Sequence, residues 1–207
     1  MADVELVGFP QSSYVWSTRI ALEEKGVNYT LQAKVDVRSE EYAREHHPFK
    51  KVPALRHGEV TLFESLAILH YIDEVFDGPK LVPADPVARA RMRQWMSATA
   101  DYLYDSAIRK LAVPRLVAPG MMSEEAIAEN LPTLRKHLEV FDGALAAGPW
   151  LAGDSYSLAD CVLTPIVFIL GQLPEGQEAR EGLVNLDRFA EQSQARPSFA
   201  AAMPPMG

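Results

Sequence analysis

The sequence predicts an α/β domain of order β-α-β then β-β-α over residues 1–78, a linker over 79–86, and an all-α domain over 87–207. Three observations predict it. Two short apolar strand candidates flank a run of helix formers within the first forty residues. Two further strands and an amphipathic helix follow them. Beyond a stretch rich in proline and glycine, every apolar pattern repeats with a helical rather than an alternating period.

Taken in order, Val4, Leu6 and the Gly8-Phe9 region form the first strand candidate. Arg19–Lys25 consists largely of good helix formers, and Gly26 sits where a left-handed C-terminal cap belongs. Asn28–Val37 alternates, with Tyr29, Leu31, Ala33, Val35 and Val37 on one face. Ser39–Glu45 is polar and helical. Val52–Leu55 and Glu59–Phe63 read as strands joined by the turn pair His57-Gly58. Glu64–Phe76 carries Leu66, Ile68, Leu69, Ile72 and Val75 at helical spacing and stops at Asp77-Gly78-Pro79. In the second domain the predicted helices are Val87–Val113, Ser123–Ala147 interrupted at Pro132, Leu158–Leu170 and Leu183–Ala195.

Composition narrows the function. With 48% hydrophobic and 23% charged residues the chain has the make-up of a globular protein. A net charge of -8 has the wrong sign for a binder of phosphate backbones, so nucleic acid is not an expected partner. The most apolar stretch, Cys161–Leu170, contains Thr164-Pro165 and falls short of the roughly 20 residues a membrane span needs. The N-terminus has no basic region leading into a long apolar segment, and the expected location is cytoplasmic. A single cysteine, Cys161, allows no internal disulfide. No metal is expected either: His46-His47 adjoins Pro48 instead of standing at helical ligand spacing and reads as a solvated loop.

Three segments can carry chemistry. The loop Gly8–Ser17 places hydroxyls near a helix N-terminus, where free N–H groups and the helix dipole favour an anion such as a thiolate. Ser12, Ser13 or Ser17 can equally serve as N-caps. In His47–Leu55, Pro53 stands at a strand entrance, which suits a cis turn that exposes the Val52 backbone to an extended peptide, or an ordinary edge strand. Glu64-Ser65 opens a helix. As a pair they suit capping, and they suit holding the ammonium and carboxylate of an amino acid.

In kind, order and spacing the three segments resemble the cytosolic glutathione transferases. Ser12–Leu22 resembles the serine loop of the phi and zeta classes, His47–Leu55 the cis-proline motif, and Phe63–Ile68 the Glu-Ser glutathione signature. Trp150–Asp160 resembles the loop and capping box that open a buried C-terminal helix. The match is to a serine-type member, phi-, zeta- or theta-like and bacterial-looking. The resemblance implies a thioredoxin-like N-terminal domain followed by the all-α domain, glutathione as co-substrate with no metal, and a homodimer in which Phe49 serves as an aromatic key. It makes Ser12 the hydroxyl that activates the thiol. It gives Lys51 and Val52 to the central and glycyl portions of the peptide, Arg38 to the glycyl carboxylate and Glu64 with Ser65 to the γ-glutamyl end, with Pro53 also among the binding residues. Ser157 and Asp160 become structural.

The implied activity is conjugation of glutathione to small apolar electrophiles, a detoxification reaction. The electrophile pocket is expected along Phe9–Tyr14 and the helix bearing Tyr102, Asp105, Ile108 and Arg109. Glutathione-dependent isomerisation of the maleylacetoacetate type, peroxide reduction, and a non-enzymatic interaction module are the alternatives. Tyr14 stands where zeta enzymes carry cysteine, which weighs against the isomerase. The absence of cysteine from the loop weighs against disulfide chemistry. His47 replaces the asparagine usual in the motif.

Overall fold

A computed structural model of the chain describes residues 3–205. It forms two compact units, one running to Val82 and joined by the segment from Arg196, the other spanning Pro83–Ala195.

In the first unit, β1 (Val4–Val7) pairs in parallel with β2 (Thr30–Gln32) and antiparallel with β3 (Ala54–His57), which pairs with β4 (Val60–Phe63), giving the order β2-β1-β3-β4. The parallel pair requires a crossover, supplied by α1 (Ser13–Glu24). Helices α1 and α3 (Ser65–Val75) pack against each other and bury Val15, Trp16, Ile20, Ile68, Leu69 and Ile72. Around Val7 and Ala54, α2 (Glu40–Glu45) adds Tyr42, with Val35, Val37 and Val52 packed alongside. This is the thioredoxin-like arrangement. Gly26 has φ 64 and its N–H bonds to Glu23, the left-handed helix stop expected there.

Several boundaries differ from the expected ones for identifiable reasons. The strand expected over Asn28–Val37 pairs only at Thr30–Gln32, because β1 turns away at Gly8. The alternation nevertheless persists: Leu31, Ala33, Val35 and Val37 are half-buried while their neighbours are exposed. Strand β3 begins at Ala54, after Pro53, which has no N–H to give to a ladder. The hairpin turns on Gly58-Glu59 rather than His57-Gly58, since His57 pairs with Val60 and Gly58 takes φ 58.

Two charged ties close this unit. Lys25, fully withdrawn from solvent, reaches Asp73 Oδ1 at 3.3 Å and Pro79 O at 3.1 Å, and the same carboxylate oxygen accepts the Leu81 N–H at 2.7 Å. The segment from Pro79 to Val82, expected to be linker, is thereby held to α1 and α3. The second tie concerns residues 196–207, grouped from sequence with the helical domain. Helix α9 (Pro197–Ala202) lies on α1: Arg196 bonds both Glu24 oxygens at 2.6 and 2.7 Å, Ser198 donates to the same carboxylate, and Phe199 stacks on Trp16 at 5.4 Å. No local pattern announces such a pairing across the whole chain.

The second unit is helical. Helix α4 (Pro86–Ala98), capped by Asp85, continues in wider π-type turns through Thr99–Leu103 and Asp105–Val117. Helix α5 (Glu124–Leu145) runs through Pro132 without a break; the proline is exposed, so the carbonyl it frees can be solvated. Helix α6 (Leu158–Gly171) is the core, buried continuously from Leu158 to Val167 and including Cys161. The Ser157-Asp160 capping box is formed: the Asp160 carboxylate accepts the Ser157 N–H at 2.8 Å, its hydroxyl at 2.7 Å and the Leu151 N–H at 2.9 Å. Complete burial pushes this carboxyl up to about 6 against those donors. Helices α7 (Pro174–Arg180), not expected from sequence, and α8 (Val184–Gln194) complete the unit. Among the described residues, no single helix is long and apolar enough to cross a membrane.

The Glu24 tie has a signed pH dependence. Burial raises the carboxyl, but Arg196 and Ser198 outweigh it and hold it below its ordinary value of 4.5. A depressed carboxyl contributes stability above its unfolded pKa and loses it as pH falls through the folded one. Arg196→Ala should therefore cost about 2–3 kcal/mol at neutral pH. Below about pH 4 it should cost clearly less. Urea unfolding of both proteins at the two pH values checks this, with an equal loss at both as the contrary result.

Candidate functional site

The sheet register assembles the site. Val7, Ala54 and Phe63 are aligned across β1, β3 and β4, so the loop after Val7, the loop before Ala54 and the corner after Phe63 emerge at one end of the sheet. Gly8, which opens the first of these loops, donates its N–H to Gln32 O at 3.0 Å. A β-carbon there would meet Val15 Cγ2 at 2.6 Å and Val52 Cβ at 3.0 Å, so glycine is what lets the serine loop and the proline loop approach.

Ser12 is the N-cap residue of α1 by position, with extended backbone, yet its side chain makes no capping bond. Its N–H donates to Phe9 O at 3.0 Å and its carbonyl accepts the Trp16 N–H at 2.9 Å, leaving a half-buried hydroxyl at the positive end of the helix. The other hydroxyls are placed differently. Ser13 Oγ is sealed inside, and Ser17 Oγ donates to Ser13 O at 2.8 Å.

In the second loop the Val52–Pro53 bond is cis, as the motif implied. Tyr42 donates its hydroxyl to Lys51 O at 2.6 Å, and Val52 packs on Val7, Tyr42 and Ala54. The Lys51 side chain is exposed. Arg38 is exposed too, its carbonyl accepting Lys50 Nζ at 3.0 Å, while Lys50 itself is paired with Glu40. Among the described residues, neither Arg38 nor Lys51 enters an ion pair, whereas Lys50 between their two loops does.

The histidine pair corrects an expectation. His47 is not in a solvated loop: it is only 2% exposed. Its ring rests on Phe63 at 5.1 Å, and Nδ1 accepts the Phe49 N–H at 3.3 Å. Phe49, two residues on, was the signal in the sequence, but only the hairpin brings Phe63 to the ring.

Glu64 is the N-cap of α3, at φ 70 and ψ 110, and its side chain makes no capping bond. Among the described residues only Lys50 and Glu64 combine a side chain beyond glycine with positive φ, and both border this site. Such backbone costs of order 1–3 kcal/mol and persists where the surroundings impose it, commonly around ligands. Ser65, at the first helical position, is buried. All of Ser12, Arg38, Lys51, Val52, Pro53, Glu64 and Ser65 therefore belong to the first unit, on or near one end of its sheet.

Of the helical-domain residues expected to face an electrophile, Tyr102 is exposed, Arg109 lies over the Tyr104 ring, Asp105 pairs with Lys110, and Ile108 is buried. Among the described residues, no three His, Cys, Asp or Glu side chains gather as metal ligands.

Comparison with known proteins gives a consistent result. Residues 2–74 match the family "Glutathione S-transferase, N-terminal domain" and residues 104–197 match "Glutathione S-transferase, C-terminal domain". A probable glutathione S-transferase of Nicotiana tabacum is 32% identical over 96% of this chain and 84% of its own length. The crystal structure of glutathione transferase F7 from Populus trichocarpa superimposes with a TM-score of 0.86 at 28% identity, covering 96% of this chain and 97% of that one. Glutathione S-transferase I bound with lactoylglutathione gives a TM-score of 0.86 at 27% identity, over 98% and 99% of the two chains. Similar curated sequences from Nicotiana tabacum, Arabidopsis thaliana and Zea mays are plant proteins, which does not support the bacterial cast expected from the motifs. Two domain matches in order, full-length relatives and a shared fold make one conclusion: the chain belongs to the cytosolic glutathione S-transferase family.

Proposed function

We propose that this chain is a serine-type, phi-like glutathione transferase in which Ser12 activates the thiol. The observation that carries the reading is the uncommitted Ser12 hydroxyl at the N-terminus of α1, with its neighbours Ser13 and Ser17 sealed or internally bonded. The Ser12 hydroxyl donates to the glutathione sulfur, and with the helix N-terminus it favours the thiolate. The thiolate then attacks an electrophilic carbon of a small apolar compound and displaces its leaving group as an anion.

The remaining residues hold the tripeptide. The Val52 backbone pairs with the cysteinyl unit as a strand would, and Pro53 sets the turn that presents it. Arg38 and Lys51 meet the glycyl carboxylate. Glu64 pairs with the γ-glutamyl ammonium, while Ser65 and the first N–H groups of α3 receive its carboxylate. Support comes from the strained backbone of Glu64, which directs a carboxylate outward instead of into a cap. We further infer a cytoplasmic homodimer, as the family resemblance implies, with Phe49, 68% exposed, as the aromatic key. Sedimentation at micromolar concentration should show twice the chain mass, and a monomer would count against it.

Ser12→Ala tests the central role. Glutathione binding should stay near that of the parent protein, while turnover with chlorodinitrobenzene falls about ten- to a hundredfold, the value of one charge-assisted hydrogen bond. The pH–rate profile should move to higher pH with it. A loss of melting temperature alone, with the thiol pKa unmoved, would mean that Ser12 only starts the helix.

Glu64→Gly separates strain from binding. Glycine adopts positive φ freely and is an acceptable N-cap, so chemical denaturation should show stability unchanged or raised by about 0.5–1 kcal/mol. Glutathione affinity should fall. Lost stability with intact affinity would show that Glu64 serves the fold and not the ligand.

A further inference from the structure

The buried histidine joins the two halves of the glutathione cradle. The His47 carbonyl accepts the Lys50 N–H at 2.8 Å, closing the turn in which Lys50 takes φ 55. Its ring rests at 5.1 Å on Phe63, the residue immediately before Glu64 with φ 70. Its Nδ1 accepts the Phe49 N–H at 3.3 Å, and its backbone N–H donates to Tyr42 O at 3.2 Å. The Tyr42 hydroxyl continues to Lys51 O at 2.6 Å. One residue therefore touches both turns that hold a side chain at positive φ, where no glycine relieves them.

We propose that His47 is a positioning residue for glutathione: its neutral imidazole holds the Lys51-Val52 loop against the Glu64-Ser65 corner, and protonation loosens that hold. This rests on the glutathione-binding reading of the site.

The chemistry follows from the ring nitrogens. As an acceptor at Nδ1, the neutral ring carries its proton on Nε2; once protonated, both nitrogens donate, and the Phe49 N–H faces another N–H. The charged groups facing the ring pull in opposite directions, Glu64 from the β4–α3 corner favouring the cation and Lys51 from its own loop opposing it. Lys50 is neutralised by Glu40, and His46, on the α2 side, stacks on Tyr42 at 5.3 Å. Burial has the largest effect and lowers the imidazole from its ordinary 6.5, so the ring is neutral at pH 7 and the loosening belongs to the acid side.

Calorimetric titration with S-methylglutathione, which has no thiol to ionise, at about pH 7.5 and about pH 5.5 tests this, because the carboxylates of this probe ionise below that window. The parent protein should bind about three- to tenfold more weakly at the lower pH. In His47→Asn an amide oxygen replaces Nδ1 as acceptor and does not titrate, so affinity at the higher pH should be kept and the acid loss should disappear. His47→Ala should bind several-fold more weakly at both values. An affinity of His47→Ala within about twofold of the parent, or an acid loss in His47→Asn equal to the parent's, overturns the proposal; should the alanine variant not fold, the asparagine comparison decides alone. Glu64→Gln separates the two readings. If it weakens binding while His47→Ala does not, the cradle stands and His47 has no part in it; if the parent shows no saturable binding, both readings fall.

Discussion

There is no room for a β-carbon at Gly8, because Val15 and Val52 close over it at 2.6 and 3.0 Å, and the rest of the candidate site follows from that approach. The contact sets the loop that ends in Ser12 beside the loop that carries Lys51 and Val52. Register then supplies the third component: with Val7 opposite Ala54 and Ala54 opposite Phe63, Glu64 emerges at the same end of the sheet. A slip of one residue in either pairing would turn every alternate side chain to the opposite face. It would also carry Glu64 and Ser65 away from the proline loop. The placement of the candidate site is a consequence of strand pairing more than of any single side chain.

The helix bearing Ser12 is secured at the end away from it. Glu24 is gripped by Arg196 and Ser198, and Lys25 by Asp73 and the Pro79 carbonyl. Lysine at a helix C-terminus also complements the negative end of the dipole. Charges withdrawn from water are costly unless hydrogen-bonded, and here each has several partners, so the ties specify position more than they add stability. The C-terminal segment from Arg196 thereby belongs structurally to the unit that carries Ser12, although the whole helical unit separates them in sequence.

The two helix N-termini in the site share an unusual economy. Ser12 and Glu64 both occupy N-cap positions, and neither side chain caps its helix, whereas Ser39, Asp85 and Ser123 elsewhere do. Leaving those first-turn N–H groups without a side-chain acceptor costs on the order of 1 kcal/mol at each helix. At Glu64 the positive φ adds to that cost. Both uncommitted groups stand at the positive ends of helices, and the proposed glutathione reading rests on them.

Much of this was written locally in the chain. Periodicity located the four strands and the principal helices, Gly26 and the Ser157-Asp160 box marked helix ends, and the order of the three motifs placed Ser12, Val52-Pro53 and Glu64-Ser65 in one family pattern, because each depends on residues close in sequence. What only the tertiary structure decided depends on distant partners. β2 stops at Gln32 because β1 ends, His47 is buried because a hairpin delivers Phe63 to it, Pro132 leaves α5 unbroken because it faces solvent, and residues from Arg196 onward leave the helical unit because Glu24 and Trp16 await them. Local pattern determines which element a residue can enter; burial, pairing and the satisfaction of charge across the chain determine where that element ends and what its side chains meet.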